Sequence, residues 1–211
     1  MNCSINVIEL KRYLERNRIM KKIYIILTVI LIAASSFAMY SGDTPSRAEN
    51  FKLKDYNGKE YQLSEFKDSK AVVLMFISTQ CPVSNSYNEK MAKLYNDYEK
   101  KGIVFLGVNS NQAESVEEIK KHSKENKFGF PVLKDVNNLV ADKLSASVTP
   151  EIYVLNNKLD VLYHGRIDDS RREDEVKSSD LRNALDEILS GQNVKVPKTK
   201  AFGCSIKRID K

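Results

Sequence analysis

The chain has 211 residues, 42% of them hydrophobic and 29% charged, which suits one globular domain with a buried core and a short targeting segment. The net charge is +6, but residues 1–40 carry +4 of it, and the remainder mixes both signs. This distribution argues against nucleic-acid binding, which needs basic residues gathered on one surface.

Residues 1–40 have the pattern of an N-terminal extension followed by an export segment. Two lysines precede the apolar run Ile23–Ala34, and Ser36-Phe37-Ala38 then places small residues at the spacing that a signal peptidase reads. Because the run is short for a membrane span, we expect a signal peptide, with an uncleaved anchor at residues 23–39 as the alternative. Either one places the remaining chain outside the cytoplasm, for example in the periplasm, touching a membrane only through this segment.

The mature part of the chain divides by composition into three segments. Residues 41–49 are polar and contain proline, glycine and serine, and are predicted to be a linker. Residues 50–191 carry regular apolar patterns and are predicted to form the domain. Residues 192–211 show no periodicity and are predicted to be a tail, which carries Cys204.

Strand and helix patterns alternate along residues 50–191. Alternation around Asn57-Gly58 predicts a β-hairpin. Unbroken apolar runs at 71–78 and 103–110 predict strands buried on both faces. Further strands are predicted within 130–135, 148–156 and 159–167, and helices after Cys81-Pro82, at 115–127 with a capping box, around 138–144 and at 178–191. The order predicts an α/β fold with a central mixed sheet flanked by helices and an N-terminal hairpin.

Cys81 is the leading candidate for a reactive residue. It follows a predicted buried strand and opens a helix, where unpaired backbone N–H groups and the helix dipole favour a thiolate. Such a position lowers a cysteine pKa from about 8.5 toward ~3.5–7.5. The alternative is an inert buried cysteine, but the polar flanking residues, Ser78 and Thr79 among them, favour an accessible edge.

These residues carry a family resemblance. The strand "VVLMFIS", the Cys-Pro pair at a helix start and Thr149-Pro150 before "EIYVLN" resemble the thioredoxin fold. Residues 50–170 are similar to its redoxin branch, the alkyl hydroperoxide reductase/thiol-specific antioxidant and peroxiredoxin-like proteins. The pieces "CPVSNSY", "HGRIDD" and "GCSIK" together resemble an exported peroxiredoxin-like group. The resemblance implies oxidoreductase activity through Cys81, with no cofactor.

Departures from the family pattern bear on the reaction. A peroxiredoxin has a threonine three residues before its cysteine, where this chain has Ser78, and its active-site arginine has only Arg166 as a candidate counterpart. A dithiol thioredoxin has a second cysteine where this chain has Ser84. We therefore list Ser78, Thr79 and Arg166 as candidate catalytic residues and Ser84 as a candidate binding residue.

Two further features follow from the same resemblance. Thr149-Pro150 matches the pre-proline loop, so the resemblance implies a cis peptide bond and a Thr149 backbone that pairs with an extended substrate segment. The histidines His122 and His164 do not complete the ligand pattern of metal-delivering relatives, and no metal is expected.

Cys204 is the candidate partner of Cys81. These are the two cysteines beyond the export segment, and disulfides persist outside the cytoplasm. A mobile tail presenting Cys204 to a sulfenic acid on Cys81 would make it a resolving cysteine. The alternatives are a static structural bridge between the two, or a Cys204 that pins the tail elsewhere.

Three acidic residues are candidate proton carriers: Glu151, Asp168 and Asp169. The run "RIDDSRREDE" also fits a solvated charged turn, and Arg166 and Asp168 are the members kept as candidates.

From the sequence we predict an exported thiol-dependent oxidoreductase that reduces peroxide through Cys81. The alternatives are protein thiol–disulfide exchange by a Cys81/Cys204 couple and a non-catalytic redoxin-like binding module. The partners expected are a peroxide or disulfide substrate and a thiol reductant such as a thioredoxin-like protein.

Overall fold

A computed structural model describes residues 45–208 of the chain. The predicted export segment and the first half of the predicted linker lie outside the described residues. Within residues 45–208, no helix is both long enough and apolar enough to cross a membrane.

The described residues form nine β-strands, five α-helices and four short 3₁₀ turns. The strands are β1 Lys52–Asp55, β2 Glu60–Gln62, β3 Ala71–Phe76, β4 Ile103–Asn109, β5 Val132–Lys134, β6 Val148–Thr149, β7 Glu151–Leu155, β8 Val161–Gly165 and β9 Cys204–Ser205. The helices are α1 Pro82–Asn85, α2 Asn88–Tyr98, α3 Val116–Glu125, α4 Leu139–Leu144 and α5 Asp180–Leu189. The 3₁₀ turns are Leu63–Phe66, Glu99–Lys101, Val136–Asn138 and Glu173–Glu175.

Seven strands form one mixed sheet in the order β2-β1-β5-β4-β3-β7-β8. β3, β4 and β5 run parallel, whereas the β1/β2 hairpin and β7/β8 add antiparallel edges. The mixed sheet and the N-terminal hairpin confirm the predicted architecture. β6 and β9 pair antiparallel in a separate two-stranded ladder.

The central strand β3 is buried on both faces, as its unbroken apolar sequence predicts. Because side chains alternate along a strand, Val73 and Met75 pack into the core that includes α2 and α5, whereas Val72 and Leu74 pack into the core that includes α4. This burial fixes the strand end at Phe76. The loop that follows therefore emerges at a defined place and leads directly into Cys81 and α1.

Two predicted irregular segments are instead packed on the domain. Ala48, in the predicted linker, is buried, and its N–H donates to the Leu159 carbonyl at 2.8 Å. In the predicted tail, the Thr199 N–H donates to the His164 carbonyl at 2.9 Å, and Ile206 is buried in the core beside α4. The expectation of a mobile tail is therefore wrong for its described part, because backbone pairing and one apolar anchor hold it without any sequence periodicity.

Candidate active site

Cys81 caps the N-terminus of α1. Its sulfur accepts a hydrogen bond from the Ser84 N–H at 3.3 Å, one of the backbone groups that a helix start leaves unpaired. When protonated, the thiol donates to the Thr149 carbonyl at 3.3 Å. The residue is only 4% exposed, so the thiol is enclosed between α1 and the loop before β7.

Ser84 acts here through its backbone rather than its side chain. Its hydroxyl points away from the thiol and accepts the Ser78 N–H at 3.2 Å. The Ser78 hydroxyl in turn accepts the Cys81 N–H at 3.0 Å and the Gln80 N–H at 3.2 Å. The two serines thus shape the loop that carries Cys81, and the sulfur itself is held by a peptide N–H.

The side chain of Glu114 holds the loop that carries Cys81 through hydrogen bonds to Ser78 and Thr79. Sequence patterns did not identify this residue. Its carboxylate is buried and accepts hydrogen bonds from the Ser78 hydroxyl and from both the N–H (2.7 Å) and the hydroxyl (2.9 Å) of Thr79. The side-chain amides of Asn109 (2.6 Å) and Asn111 (2.9 Å) complete the set. Five donors around one buried carboxylate fix the Ser78–Thr79 backbone, which is the role of Thr79 in the structure.

The same cluster reaches the C-terminal segment. The Asn111 side-chain oxygen accepts the Lys207 N–H at 2.7 Å, and the Lys207 carbonyl accepts the Gln112 N–H at 3.0 Å. Asn111 therefore joins the Glu114 cluster below Cys81 to the segment that carries Cys204. One buried polar network supports both cysteines.

Cys204 lies beside Cys81 because β9 pairs with β6. The register places Cys204 opposite Thr149, and the Thr149–Pro150 peptide bond is cis, as the resemblance implies. Gly203 makes this approach possible, since a Cβ there would overlap the Thr149 carbonyl oxygen. Both cysteines are free thiols in this structure, and they are close enough to hydrogen-bond.

The surroundings shift the pKa values of the two thiols in opposite directions. Burial acts to raise the pKa of Cys81, but the hydrogen bonds from Cys204 and from the Ser84 N–H outweigh it, so its pKa lies below the ordinary value. The hydrogen bond to Cys81 raises the pKa of Cys204, and burial adds to that effect. Cys81 is therefore the thiol that ionises first.

Arg166 and Asp168 are engaged elsewhere. The Arg166 guanidinium forms a 2.6 Å ion pair with Asp180 at the start of α5. Asp168 accepts the Tyr87 hydroxyl at 2.9 Å and the Lys90 ammonium at 2.5 Å. Asp180 thus holds the Arg166 guanidinium in this structure, and a catalytic role of Arg166 stays a prediction.

The remaining acidic candidates, Glu151 and Asp169, form hydrogen bonds to nearby backbone and side-chain groups. Glu151 is buried, accepts the Ser147 N–H at 2.8 Å and lies 2.6 Å from His164. Burial acts to raise the pKa of Glu151, but the His164 hydrogen bond and the backbone donors lower it. Asp169 accepts the N–H groups of the loop before α5, which lowers its pKa. Among residues 45–208, no group of three or more histidine, cysteine or acidic side chains is arranged to hold a metal ion.

The fold and this site together define the chain as a thioredoxin-like oxidoreductase: a mixed sheet, a cysteine at a helix start and a cis-proline loop facing it. Residues 45–164 match the AhpC/TSA family model, and the chain belongs to that family.

Individual relatives agree with this class. The chain is similar to the thiol-disulfide oxidoreductase ResA of Bacillus subtilis (strain 168), at 29% identity over 138 residues, 61% of this chain and 74% of that protein. It is also similar to a probable phospholipid hydroperoxide glutathione peroxidase of Mesembryanthemum crystallinum, at 33% identity over 75 residues, 36% of this chain and 44% of the relative. Among solved structures, a hypothetical protein from Sinorhizobium meliloti 1021 superposes with a TM-score of 0.75 at 35% identity, covering 81% of this chain and 97% of that one.

Proposed function

We propose that this protein is a two-cysteine thiol oxidoreductase whose Cys81 and Cys204 cycle between a dithiol and a disulfide. The observation that carries the proposal is the placement of Cys204 opposite Thr149, beside the Cys81 thiol at the helix start. A bridged pair needs Cα atoms within about 7 Å, and in this structure β9 lies against α1, the helix that Cys81 caps. The similarity to a named thiol-disulfide oxidoreductase favours exchange as the leading reaction.

In the exchange reaction, Cys81, whose pKa is lowered, attacks first, and Cys204, whose pKa is raised, attacks second. The Cys81 thiolate attacks one sulfur of a substrate disulfide, the substrate S–S bond breaks, and one substrate thiolate leaves and takes up a proton. Cys204 then loses its proton and attacks the Cys81 sulfur, forming the Cys81–Cys204 bond and releasing the second substrate thiol. The protein is oxidised and the substrate is reduced to two thiols. A thiol reductant such as a thioredoxin-like protein then reduces the Cys81–Cys204 disulfide and restores the dithiol.

Peroxide reduction is the second candidate. The Cys81 thiolate would attack a peroxide oxygen and become a sulfenic acid, while hydroxide or an alkoxide leaves and takes up a proton. The Cys204 thiol would then condense with the sulfenic acid to form the disulfide and release water. Adjacent thiols favour this route, because resolution would need no movement of the tail. The ion pair between Arg166 and Asp180 speaks against an efficient peroxidase, since the guanidinium of the candidate catalytic arginine already has a partner. A non-catalytic role, with the cysteines serving only as a staple, is the remaining alternative.

The basic residues and the apolar run of the N-terminal segment support an extracytoplasmic location as part of this proposal. In such a compartment a Cys81–Cys204 disulfide persists until a dedicated reductant acts on it. The substrates proposed are disulfides or peroxides, and the partner is a thiol reductant.

A single comparison separates the candidates. The reduced chain is mixed with a low-molecular-weight disulfide or with hydrogen peroxide, and thiol release and peroxide loss are followed alongside the state of both cysteines. Exchange predicts thiol release with a Cys81–Cys204 bond at a rate well above that with peroxide. Faster peroxide loss would favour the second candidate. A stable protein in which neither Cys81→Ser nor Cys204→Ser changes either rate would overturn both.

A further inference from the structure

The backbone edge beside the cis-proline is already occupied. The resemblance implies that Thr149 pairs with an extended substrate segment, but in this structure its register partner is Cys204 of the same chain. β9 therefore occupies the position where a polypeptide would add as an extra strand. An extended substrate and β9 cannot pair with the Thr149 backbone at the same time.

β9 is held on both sides of Cys204. On one side, Gly203 lies against the Thr149 carbonyl. On the other side, Ile206 is 5% exposed, its N–H donates to the Ser147 carbonyl at 2.9 Å, and Lys207 is tied to Asn111. The Arg208 guanidinium continues the attachment with a 2.9 Å ion pair to Asp142. These contacts make β9 an integral strand whose removal would break several hydrogen bonds.

We propose that β9 restricts Cys81 to small oxidants, low-molecular-weight disulfides or hydroperoxides, by excluding extended polypeptides from the Thr149 edge. This inference rests on the proposed function, since it takes Cys81 to be the attacking thiol. Cys81 is enclosed, with 4% of its surface exposed, so a substrate has to fit between α1 and β9. A small molecule needs no backbone pairing, whereas a polypeptide cysteine would have to displace β9 first.

The test uses the full chain carrying Cys3→Ser and Cys204→Ser, so that Cys81 is its one cysteine, reacts once and stays linked. Two probes share one leaving group: cysteamine joined to thionitrobenzoate through a disulfide, and a six-residue extended peptide whose central cysteine carries the same group. In each reaction the Cys81 thiolate attacks the probe disulfide, the S–S bond breaks, and coloured thionitrobenzoate leaves. Since the leaving group is the same, the two rates differ only because the attacked sulfur belongs to cysteamine in one probe and to a peptide cysteine in the other.

The cysteamine probe is expected to react at least about tenfold faster than the peptide probe, because the peptide has to break the hydrogen bonds that hold β9 before it reaches Cys81. Adding Gly203→Ala, which forces β9 off the Thr149 carbonyl, should raise the peptide rate about tenfold while changing the cysteamine rate by less than about twofold. Ser205→Ala, an exposed change in the same strand, should alter neither rate. Amide hydrogen exchange at Ile206 reports whether β9 has left, and Ile206→Asp replaces Gly203→Ala if it has not.

Equal rates for the two probes with β9 in place would overturn the proposal. So would a peptide rate that stays low after hydrogen exchange shows β9 displaced. A chain in which Cys81 reacts with neither probe would instead contradict the proposed function, so the two failures are distinguishable.

Discussion

Gly203 lies directly against the carbonyl of Thr149, at a distance that only a residue without a side chain can occupy. This contact determines how closely β9 packs against β6, and therefore where the neighbouring Cys204 lies. Since Cys204 lies beside Cys81 through this pairing, a backbone contact between two residues that are not cysteines controls the geometry of the cysteine pair.

Replacing Gly203 with alanine should weaken the Cys81–Cys204 disulfide. The added methyl group overlaps the Thr149 carbonyl oxygen, so β9 has to shift and the two sulfurs separate. We expect the equilibrium constant for disulfide formation against dithiothreitol to fall at least about tenfold, equivalent to roughly 1.4 kcal/mol. Ser205→Ala serves as the control, and an equal constant in Gly203→Ala and Ser205→Ala would show that the contact does not set the pairing.

The pKa of Cys81 should respond to Cys204. A donor that stabilises the thiolate lowers the pKa, so removing it with Cys204→Ala should raise the pKa. In the unaltered reduced chain, the rate of iodoacetamide labelling at Cys81 should rise with pH at an inflection below the ordinary value of about 8.5. In Cys204→Ala that inflection should move upward. An inflection that stays in place or moves down would mean that the hydrogen bond does not act on the thiolate.

Ser84→Ala should leave the chemistry of Cys81 largely intact. The sulfur is bonded to the Ser84 backbone N–H, which the substitution keeps. The Ser78 N–H loses its acceptor, so the free energy of unfolding should fall by about 1–3 kcal/mol. Urea unfolding measures the second effect and thiol labelling the first. Loss of Cys81 reactivity in a folded Ser84→Ala chain would show that the hydroxyl has a direct role.

Glu114→Gln should be the most destabilising single change near the site. The amide cannot accept all five donors that surround the carboxylate, and its own NH₂ group would face some of them. Each hydrogen bond to a charged acceptor is worth about 1.5–3 kcal/mol, so losing even one should lower the free energy of unfolding by about that amount. Glu117→Gln, on the exposed start of α3, should change stability by less than about 0.5 kcal/mol. Similar urea midpoints for the two variants would argue against the Glu114 cluster as the support of the Cys81 loop.

Arg166→Ala should have little effect on the reaction. The guanidinium is paired with Asp180, whose side chain is only 7% exposed, so its loss should cost about 1–3 kcal/mol of stability without removing a contact to Cys81. Oxidation of Cys81 by hydrogen peroxide and by a small disulfide should each stay within about twofold of the parent rate. A drop confined to the peroxide reaction would restore Arg166 as a residue of a peroxidase site.

Local sequence signals account for most of the fold. The Asn57-Gly58 hairpin, the buried strand β3 and the capping box of Ser115 and Glu118 were all predictable, because each depends on residues near one another in the chain. The helix-start position of Cys81 belongs to the same group.

The non-local parts of the site were harder to predict. The pairing of Cys204 with Thr149 joins distant segments, and the tail carries one buried apolar anchor, Ile206, too little for a periodic pattern. Glu114 lies in a polar stretch that resembles a solvated loop until folding surrounds it with donors. A signal that could have pointed to it is the pair Asn109 and Asn111 at the end of the buried strand β4, because buried side-chain amides need hydrogen-bond partners.

The most direct test of the account is a peptide map of the full chain by mass spectrometry, before and after treatment with a small disulfide. The account predicts free thiols at Cys81 and Cys204 before treatment, and afterwards one intramolecular link between the Cys81 and Cys204 peptides. An oxidised Cys81 accompanied by a free Cys204 would contradict it.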